Sequence, residues 1–256
     1  MPDLLLEVGC EEIPSPYLQA ALKALAASTP KVLRATGLLS DEGTVRTLGT
    51  PRRLVIIAEG LAAALPEETV WDAGPPVKVA FDADGAPTKA AVGFARGKGL
   101  TPADLQRRDG RIGVERHVPS RPAAEVLAEP LTELIAEIHW PKTMRWGASP
   151  ERFARPIHWI CALVDGQVIA VRAGRRVGAA WTRGHRFMAP AEVEVDGPAA
   201  WWAAMAAGSV IPDGEERASR IEAGAIRLAK EAGARHSISS SGASGGRKGS
   251  TPAARA

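Results

Sequence analysis

The sequence predicts an α+β fold, with short mixed or antiparallel sheets, segregated helices, two subdomains and a disordered C-terminal tail. Two observations carry this prediction. Short apolar runs are joined by turn dipeptides such as Asp165-Gly166, which favour β-hairpins. The helical patterns do not alternate regularly with these runs, which argues against a βαβ series with a parallel sheet.

The first elements follow from apolar patterning and from the residues that punctuate it. Residues 3–9 form a short run typical of a buried strand. Ser15-Pro16 then places a capping hydroxyl and an early proline at the start of a helix. Pro30 should kink or end that helix, because proline has no amide proton to donate. Two strands are expected next, at 45–48 and 54–57.

The middle of the chain alternates between short apolar runs and turn residues. Residues 77–81 favour a strand, which Asp82 to Gly85 should close as a turn. Residues 88–95 fit a helix. Thr101-Pro102 repeats the capping pattern and predicts another short helix, ending near Asp109-Gly110.

The remaining elements are predicted from longer patterns. Strands are expected at 112–118, 157–164 and 168–171, and helices at 123–138, 201–207 and 221–230. The predicted regions are an N-terminal α+β region at 1–140, a basic α+β region at 141–235 and a disordered tail at 236–256. The tail is rich in Ser and Gly and has almost nothing to bury.

Composition excludes several classes of protein. The chain has 256 residues, of which 45% are hydrophobic and 24% charged, as in ordinary globular proteins. Its two cysteines, Cys10 and Cys161, lie at neither metal nor redox spacing, so reduced thiols are expected. No signal peptide is recognised, and no apolar stretch reaches the roughly 20 residues of a membrane span. A cytoplasmic protein with no membrane partner is predicted.

The positive charge is concentrated in one segment. Residues 141–190 contain nine Lys or Arg and two acidic residues, a net +7, whereas the other 206 residues carry 23 basic and 27 acidic residues, a net −4. Such concentration indicates a phosphate-rich partner. A solvated basic face or internal ion pairs would explain it equally well from charge alone.

Motifs for chemistry on this chain are weak. Gly93 to Gly99 superficially resembles a phosphate loop, but its spacing is one residue short and Gly99 replaces the hydroxyl that would bind magnesium. None of the five histidines has metal-ligand spacing. No catalytic residue, metal site or bound cofactor is therefore predicted here.

Basic and aromatic residues interleave between Trp140 and Phe187, a pattern suited to RNA phosphates and unpaired bases. Trp159 and Phe187 lie among apolar neighbours, and we predict that both pack in the core. The candidate RNA-binding residues are Arg52, Arg53, Lys142, Arg145, Arg152, Arg155, Arg183, His185 and Arg186.

Seven blocks of this sequence resemble, in order, the β subunit of bacterial heterotetrameric glycyl-tRNA synthetase. They are LLEVGCEEIP (5–14), TPRRL (50–54), GPP (74–76), PTKAAVGFA (87–95), PKTMRWG (141–147), RFARPIHW (152–159) and TRGHRF (182–187). The resemblance extends from residue 3 to about 235. A β subunit of this family continues into an HD-like region and an anticodon-binding domain, so the resemblance implies a truncated, N-terminal portion.

The resemblance also implies a function. The family's enzyme is a glycine–tRNA ligase of α2β2 assembly, in which the α subunit uses ATP, with Mg, to make glycyl-adenylate. The β subunit binds and orients tRNA(Gly) for the transfer step. Three alternatives stay open: a stand-alone RNA-binding module, an inactive truncated remnant, and an enzyme of another class that uses His158 or His185.

Overall fold

The computed structural model describes residues 2–147 and 151–232. The chain divides into two compact units, residues 1–212 and 213–256. The strands are β1 (Leu4–Cys10), β2 (Leu39–Thr50), β3 (Arg53–Leu61), β4 (Ala64–Leu65), β5 (Glu68–Pro76), β6 (Gln106–Arg108), β7 (Arg111–Val118), β8 (Arg121–Pro122), β9 (Ile157–Val164), β10 (Gln167–Val168), β11 (Arg172–Ala173), β12 (Arg176–Val177), β13 (Trp181–Arg183) and β14 (Glu192–Glu194). The α-helices are α1 (Ser15–Ala35), α2 (Val77–Ala80), α3 (Lys89–Gly97), α4 (Ala123–Ala136), α5 (Pro198–Ala207) and α6 (Gly214–Glu231).

A five-stranded antiparallel sheet with the order β10-β9-β1-β3-β2 is the centre of the first unit. Strand β1 lies in the middle, where Leu6 is opposite Ile56 of β3 and Ala162 of β9. Every residue of β1 is buried. Both faces of this sheet are therefore covered, which explains the continuous apolar run in its sequence.

The two faces of the sheet have different coverings, because successive side chains of a strand point to opposite sides. Leu4, Leu6 and Val8 belong to the larger core, which helices α1 and α4 cover. Leu5 belongs to a smaller core on the other face, where α5 contributes Trp201 and Met205. This gives three layers, with the sheet between helices.

A second, three-stranded sheet with the order β5-β7-β6 carries helices α2 and α3. Its own core is small and consists mainly of Ala80, Ala91 and Ile112, with Phe94 packed against them. In the second unit, α6 begins after Asp213, whose carboxylate accepts hydrogen bonds from two first-turn amides. None of the helices in the described ranges is long and apolar enough to cross a membrane.

The α+β prediction is confirmed, and so are most long elements. Pro30, predicted to kink or end the first helix, does not end it, because α1 continues to Ala35. Leu25 and Leu33 pack on the core on either side of Pro30, and this burial outweighs the local cost of the proline.

Three short elements were predicted wrongly. Residues 77–80 form helix α2 and not a strand, because a run this short has no decisive period. The helix after Thr101 is a single 3-10 turn that ends at Asp104. Asp109-Gly110 instead joins β6 to β7. The strand predicted at 168–171 is limited to β10, and β5 was not foreseen.

The predicted boundary after residue 140 does not separate two sheets. Strand β9, from the predicted basic region, pairs with β1 from the N-terminal region. The division into units falls instead at Pro212. The predicted disordered tail, 236–256, lies outside the described residues.

Candidate RNA-binding surface

The predicted RNA-binding residues occupy three different places. Arg53 is in the core. A second set lies near the end of β1 and is called here the ion-pair cluster. Arg52, Arg186 and His158 contact Glu11, and Arg155 contacts the carbonyl oxygen of Glu12. Arg183 and His185 are counted with it because Arg183 lines the same cavity as Arg52 and Arg186, and His185 lies between Arg183 and Arg186 in sequence. The third set, Lys142, Arg145 and Arg152, lies on the loop before β9.

The prediction that Arg53 contacts RNA is corrected, because this side chain is only 3% exposed. Its Nη1 donates to Glu7 Oε1 at 3.0 Å, and its Nη2 donates to the carbonyl oxygen of Gly184 at 3.2 Å. Burial lowers the pKa of Arg53 from its ordinary value, against the opposing effect of Glu7. Arg53 therefore holds the loop after β13 against the sheet instead of facing solvent.

Glu7 completes this buried polar network. Thr182 Oγ1 and Trp201 Nε1 both donate to Glu7 Oε2, the latter at 3.1 Å. Burying a carboxylate without partners would be costly, and here a cation and two further donors satisfy it. The network joins β1, β3, β13 and α5.

Two arginines of the ion-pair cluster, Arg52 and Arg186, are paired with its glutamates. Glu11 Oε1 lies 3.6 Å from Arg52 Nη2 and 3.0 Å from His158 Nε2, and Arg186 Nη1 lies 3.3 Å from Glu12 Oε1. Partial burial raises the pKa of Glu11, but Arg52 and the His158 hydrogen bond outweigh this and leave it below its usual range. Paired arginines gain less from a phosphate, because they must first give up a carboxylate.

A cavity of about 220 Å³ opens beside the ion-pair cluster, between Arg52, His158, Trp159 and the loop after β13. The alternative of an enzyme of another class depends on His158 or His185. Among the described residues that line this cavity, none carries a hydroxyl or a thiol that His158 could activate. Cys10, buried nearby, has its pKa raised to about 12 by burial, which makes it a poor nucleophile.

The loop before β9 presents Lys142 and Arg145 to solvent. Met144 and Phe153 close this loop by two backbone hydrogen bonds of 2.9 and 3.2 Å. Arg152 Nε donates to Thr143 Oγ1 at 3.0 Å, which leaves the two Nη groups of the guanidinium for other acceptors. The loop is therefore held by its backbone, with its cations outward.

The β11–β12 hairpin adds three exposed cations that the sequence analysis counted in the basic segment but did not select: Arg172, Arg175 and Arg176. The amide of Arg172 donates to Thr132 Oγ1 of α4 at 3.0 Å, which fixes the hairpin on that helix. We call the six cations of the loop and the hairpin the basic surface: Lys142, Arg145, Arg152, Arg172, Arg175 and Arg176. In residues 2–147 and 151–232, none of the six pairs with a carboxylate.

A cavity of about 470 Å³, called here the apolar pocket, lies within the basic surface. Helix α4, the loop before β9 and the β11–β12 hairpin form its walls. Its apolar lining includes Ile135, Trp146, Phe153 and Ile157, and its charged lining residues are Glu151, Arg152 and Arg172.

Of the two aromatic residues predicted to pack in the core, one is buried and one is exposed. Trp159 is buried, as predicted, and lies under the Arg53 guanidinium at 5.7 Å. The prediction for Phe187 is wrong: its side chain is 78% exposed, beside Arg186 and His185. Among the described residues, no three His, Cys, Asp or Glu side chains gather as a metal site would require.

Comparisons with known proteins agree with the blocks noted in the sequence. The profile of a family described as "Glycyl-tRNA synthetase beta subunit" matches residues 4–241. The "Glycine--tRNA ligase beta subunit" of Syntrophotalea carbinolica is 47% identical over 75% of this chain, which is 28% of the relative's length. Those of Geobacter metallireducens and Moorella thermoacetica are 42% and 38% identical over 91% of this chain, and 34% of their own length. The chain thus spans about a third of these relatives, and it belongs to the glycyl-tRNA synthetase β subunit family.

Proposed function

We propose that this chain is the N-terminal part of a glycine–tRNA ligase β subunit and that its basic surface binds tRNA(Gly). The observation that carries the proposal is the exposure of six cations on a loop and a hairpin that are separated in sequence but form walls of one pocket, which Arg152 and Arg172 line. Family membership supplies the kind of ligand, since the curated relatives are named as β subunits of this ligase. A polyanion with closely spaced phosphates is the partner that such a surface fits.

The ion-pair cluster is proposed as a second, weaker contact region. Arg186 lies on the loop that Arg53 fixes, and Arg186 and Phe187 are exposed there. A phosphate at Arg52 or Arg186 would displace a carboxylate, so these arginines contribute less binding free energy than those of the basic surface.

The division of labour in the proposed enzyme assigns no catalytic residue to this chain. In the α2β2 assembly, the α subunit would bind ATP with Mg and form glycyl-adenylate. The present chain would help to orient tRNA(Gly) for transfer, a contribution of position and not of chemistry. This work takes place in the bacterial cytoplasm, where tRNA is charged.

Charge reversal tests the RNA part of the proposal. Changing Arg145, Arg175 and Arg176 to Glu should weaken tRNA(Gly) binding at 0.1 M salt by about tenfold or more and reduce the slope of log K against log salt by about 2–3, because each lost phosphate contact removes roughly one released counterion. Fluorescence anisotropy with labelled tRNA measures both quantities.

The matched control changes Lys23, Lys31 and Lys89 to Glu. These lysines are exposed on α1 and α3, so the net charge changes equally on elements that carry none of the six cations of the basic surface. If both triple variants lose the same affinity, only the total charge matters and the assignment of the surface is wrong.

Glycylation tests the ligase part. Adding this chain to purified α subunit, glycine, ATP and tRNA(Gly) should raise the formation of glycyl-tRNA above that of the α subunit alone. Incorporation of radioactive glycine into tRNA measures the reaction, and a full-length β subunit from a relative serves as the positive control. Should the chain bind tRNA yet add nothing to charging, the stand-alone RNA-binding or inactive alternative would replace the ligase proposal.

A further inference from the structure

We propose that the apolar pocket binds one unpaired nucleotide of the RNA, with the base inside and its phosphate at the rim. This inference rests on the proposed function, because it assumes that the basic surface meets RNA. It goes further than the proposed function because it assigns the apolar pocket to a single base and the rim of the pocket to its phosphate.

The interior of the pocket suits a flat aromatic ring. Its lining is mostly apolar, and three separate elements contribute to it: Ile135 from α4, Phe153 from the loop and Ile157 from β9. Trp146, which is half-buried, offers indole surface to the cavity. The volume of about 470 Å³ lies within the range of pockets that hold small organic ligands. Stacking on an aromatic face is how proteins bind unpaired bases of any sequence.

The rim suits a phosphate. Arg152 and Arg172 line the same pocket from opposite elements, the loop and the hairpin. The guanidinium of Arg152 keeps both Nη groups available beyond its bond to Thr143, and a guanidinium holds phosphate oxygens in a bidentate manner. Glu151 also lines the pocket, so the rim carries two cations against one carboxylate.

An apolar interior with a cationic rim favours an unpaired nucleotide over a base pair. Bases inside an A-form duplex are stacked on each other and cannot enter a cavity in a protein, whereas loops, bulges and ends can extend a base outward. Lys142 and Arg145 lie on the same loop as Arg152, and Arg175 and Arg176 lie on the same hairpin as Arg172. These four exposed cations are therefore further partners for the phosphates on either side of such a nucleotide.

The test compares the effect of each variant on two probes: a labelled 12-nucleotide single-stranded RNA, whose bases are unpaired, and the blunt duplex of the same sequence, whose bases are all paired. Trp146→Ala should weaken binding of the single strand by about tenfold or more, as expected for the loss of one stacked base, and change duplex binding by less than about twofold. Trp146→Phe should restore most of the affinity. Trp202→Ala, which removes a half-buried tryptophan from α5, should leave both affinities unchanged.

Arg172→Gln gives a second measurement that does not depend on the packing of Trp146, because Arg172 is exposed. It should weaken binding of the single strand more than that of the duplex. Circular dichroism of each variant shows whether the fold is retained.

Other results would overturn the inference in distinguishable ways. If Trp146→Ala and Arg172→Gln bind the single strand as the unmodified chain does, while the charge-reversed triple variant loses tRNA, the pocket does not bind a base and the proposed function stands. If Trp146→Ala loses the same affinity for both probes, Trp146 only stabilises the basic surface and does not stack on a base. An unmodified chain that binds no RNA removes both proposals. Loss of α-subunit association by Trp146→Ala, with RNA binding intact, would identify a protein segment as the occupant.

Discussion

Replacing Arg53 with methionine is expected to lower the free energy of unfolding by about 3–5 kcal/mol. Methionine fills much of the same space but leaves the carboxylate of Glu7 buried without its cation. The hydrogen bonds from Thr182 and Trp201 remain, but two neutral donors do not replace an ion pair at a site that water does not reach. Urea unfolding followed by circular dichroism measures the loss.

Arg52→Met is the matched control, because Arg52 precedes Arg53 directly and also pairs with a glutamate. Its partner Glu11 is partly exposed, so the loss should be below about 1 kcal/mol. Combining Arg53→Met with Glu7→Gln should return part of the lost stability, since no charge is then buried alone. Equal losses for Arg52→Met and Arg53→Met would contradict the role of the buried network.

Trp201→Ala is expected to destabilise the first unit by about 3–5 kcal/mol. Trp201 is fully buried in the smaller core, in the same cluster as Leu5, Val55 and Met205. Its removal leaves a cavity and also takes away the donor to Glu7 Oε2. Urea unfolding again measures the free energy of unfolding. Trp201→Phe isolates the loss of the hydrogen bond to Glu7, since phenylalanine fills much of the same space but has no N–H group.

Trp202 supplies the comparison for this change. It follows Trp201 on the same helix and packs edge-on against it with ring centroids 5.1 Å apart, but it is only half-buried. Trp202→Ala should cost clearly less, about 1–2 kcal/mol, because solvent already reaches the site. If Trp202→Ala costs as much as Trp201→Ala, the smaller core is not what fixes α5 to the sheet.

The sequence was most informative where burial is complete. Strands β1 and β9 are covered on both faces, so their residues form continuous apolar runs that any pattern search detects. Strand β5 was missed for the opposite reason: its residues are mostly half-buried or exposed, and it ends in Pro75-Pro76. Helix α2 was taken for a strand because its four residues are too few to show a helical period.

The site was harder to predict than the fold. Charge counting located the basic segment but not its faces. The selection of Arg52 and Arg53 as candidate RNA-binding residues did not separate a half-buried side chain from a fully buried one. What distinguishes them is Glu7, which is 46 positions earlier and meets Arg53 only after β1 has paired with β3. The arginines of the β11–β12 hairpin join Lys142 and Arg145 in one surface only because α4 holds the hairpin.

The position of β1 in the middle of the sheet has a consequence for synthesis on the ribosome. Its partner β3 ends at Leu61, whereas its other partner β9 begins at Ile157, 96 positions later. At bacterial translation rates, roughly 5–20 s separate the emergence of these two strands. During this interval β1 presents one unpaired edge of apolar residues, a form that associates readily with other chains. A nascent chain with this topology is therefore open to association with other chains until β9 has been made.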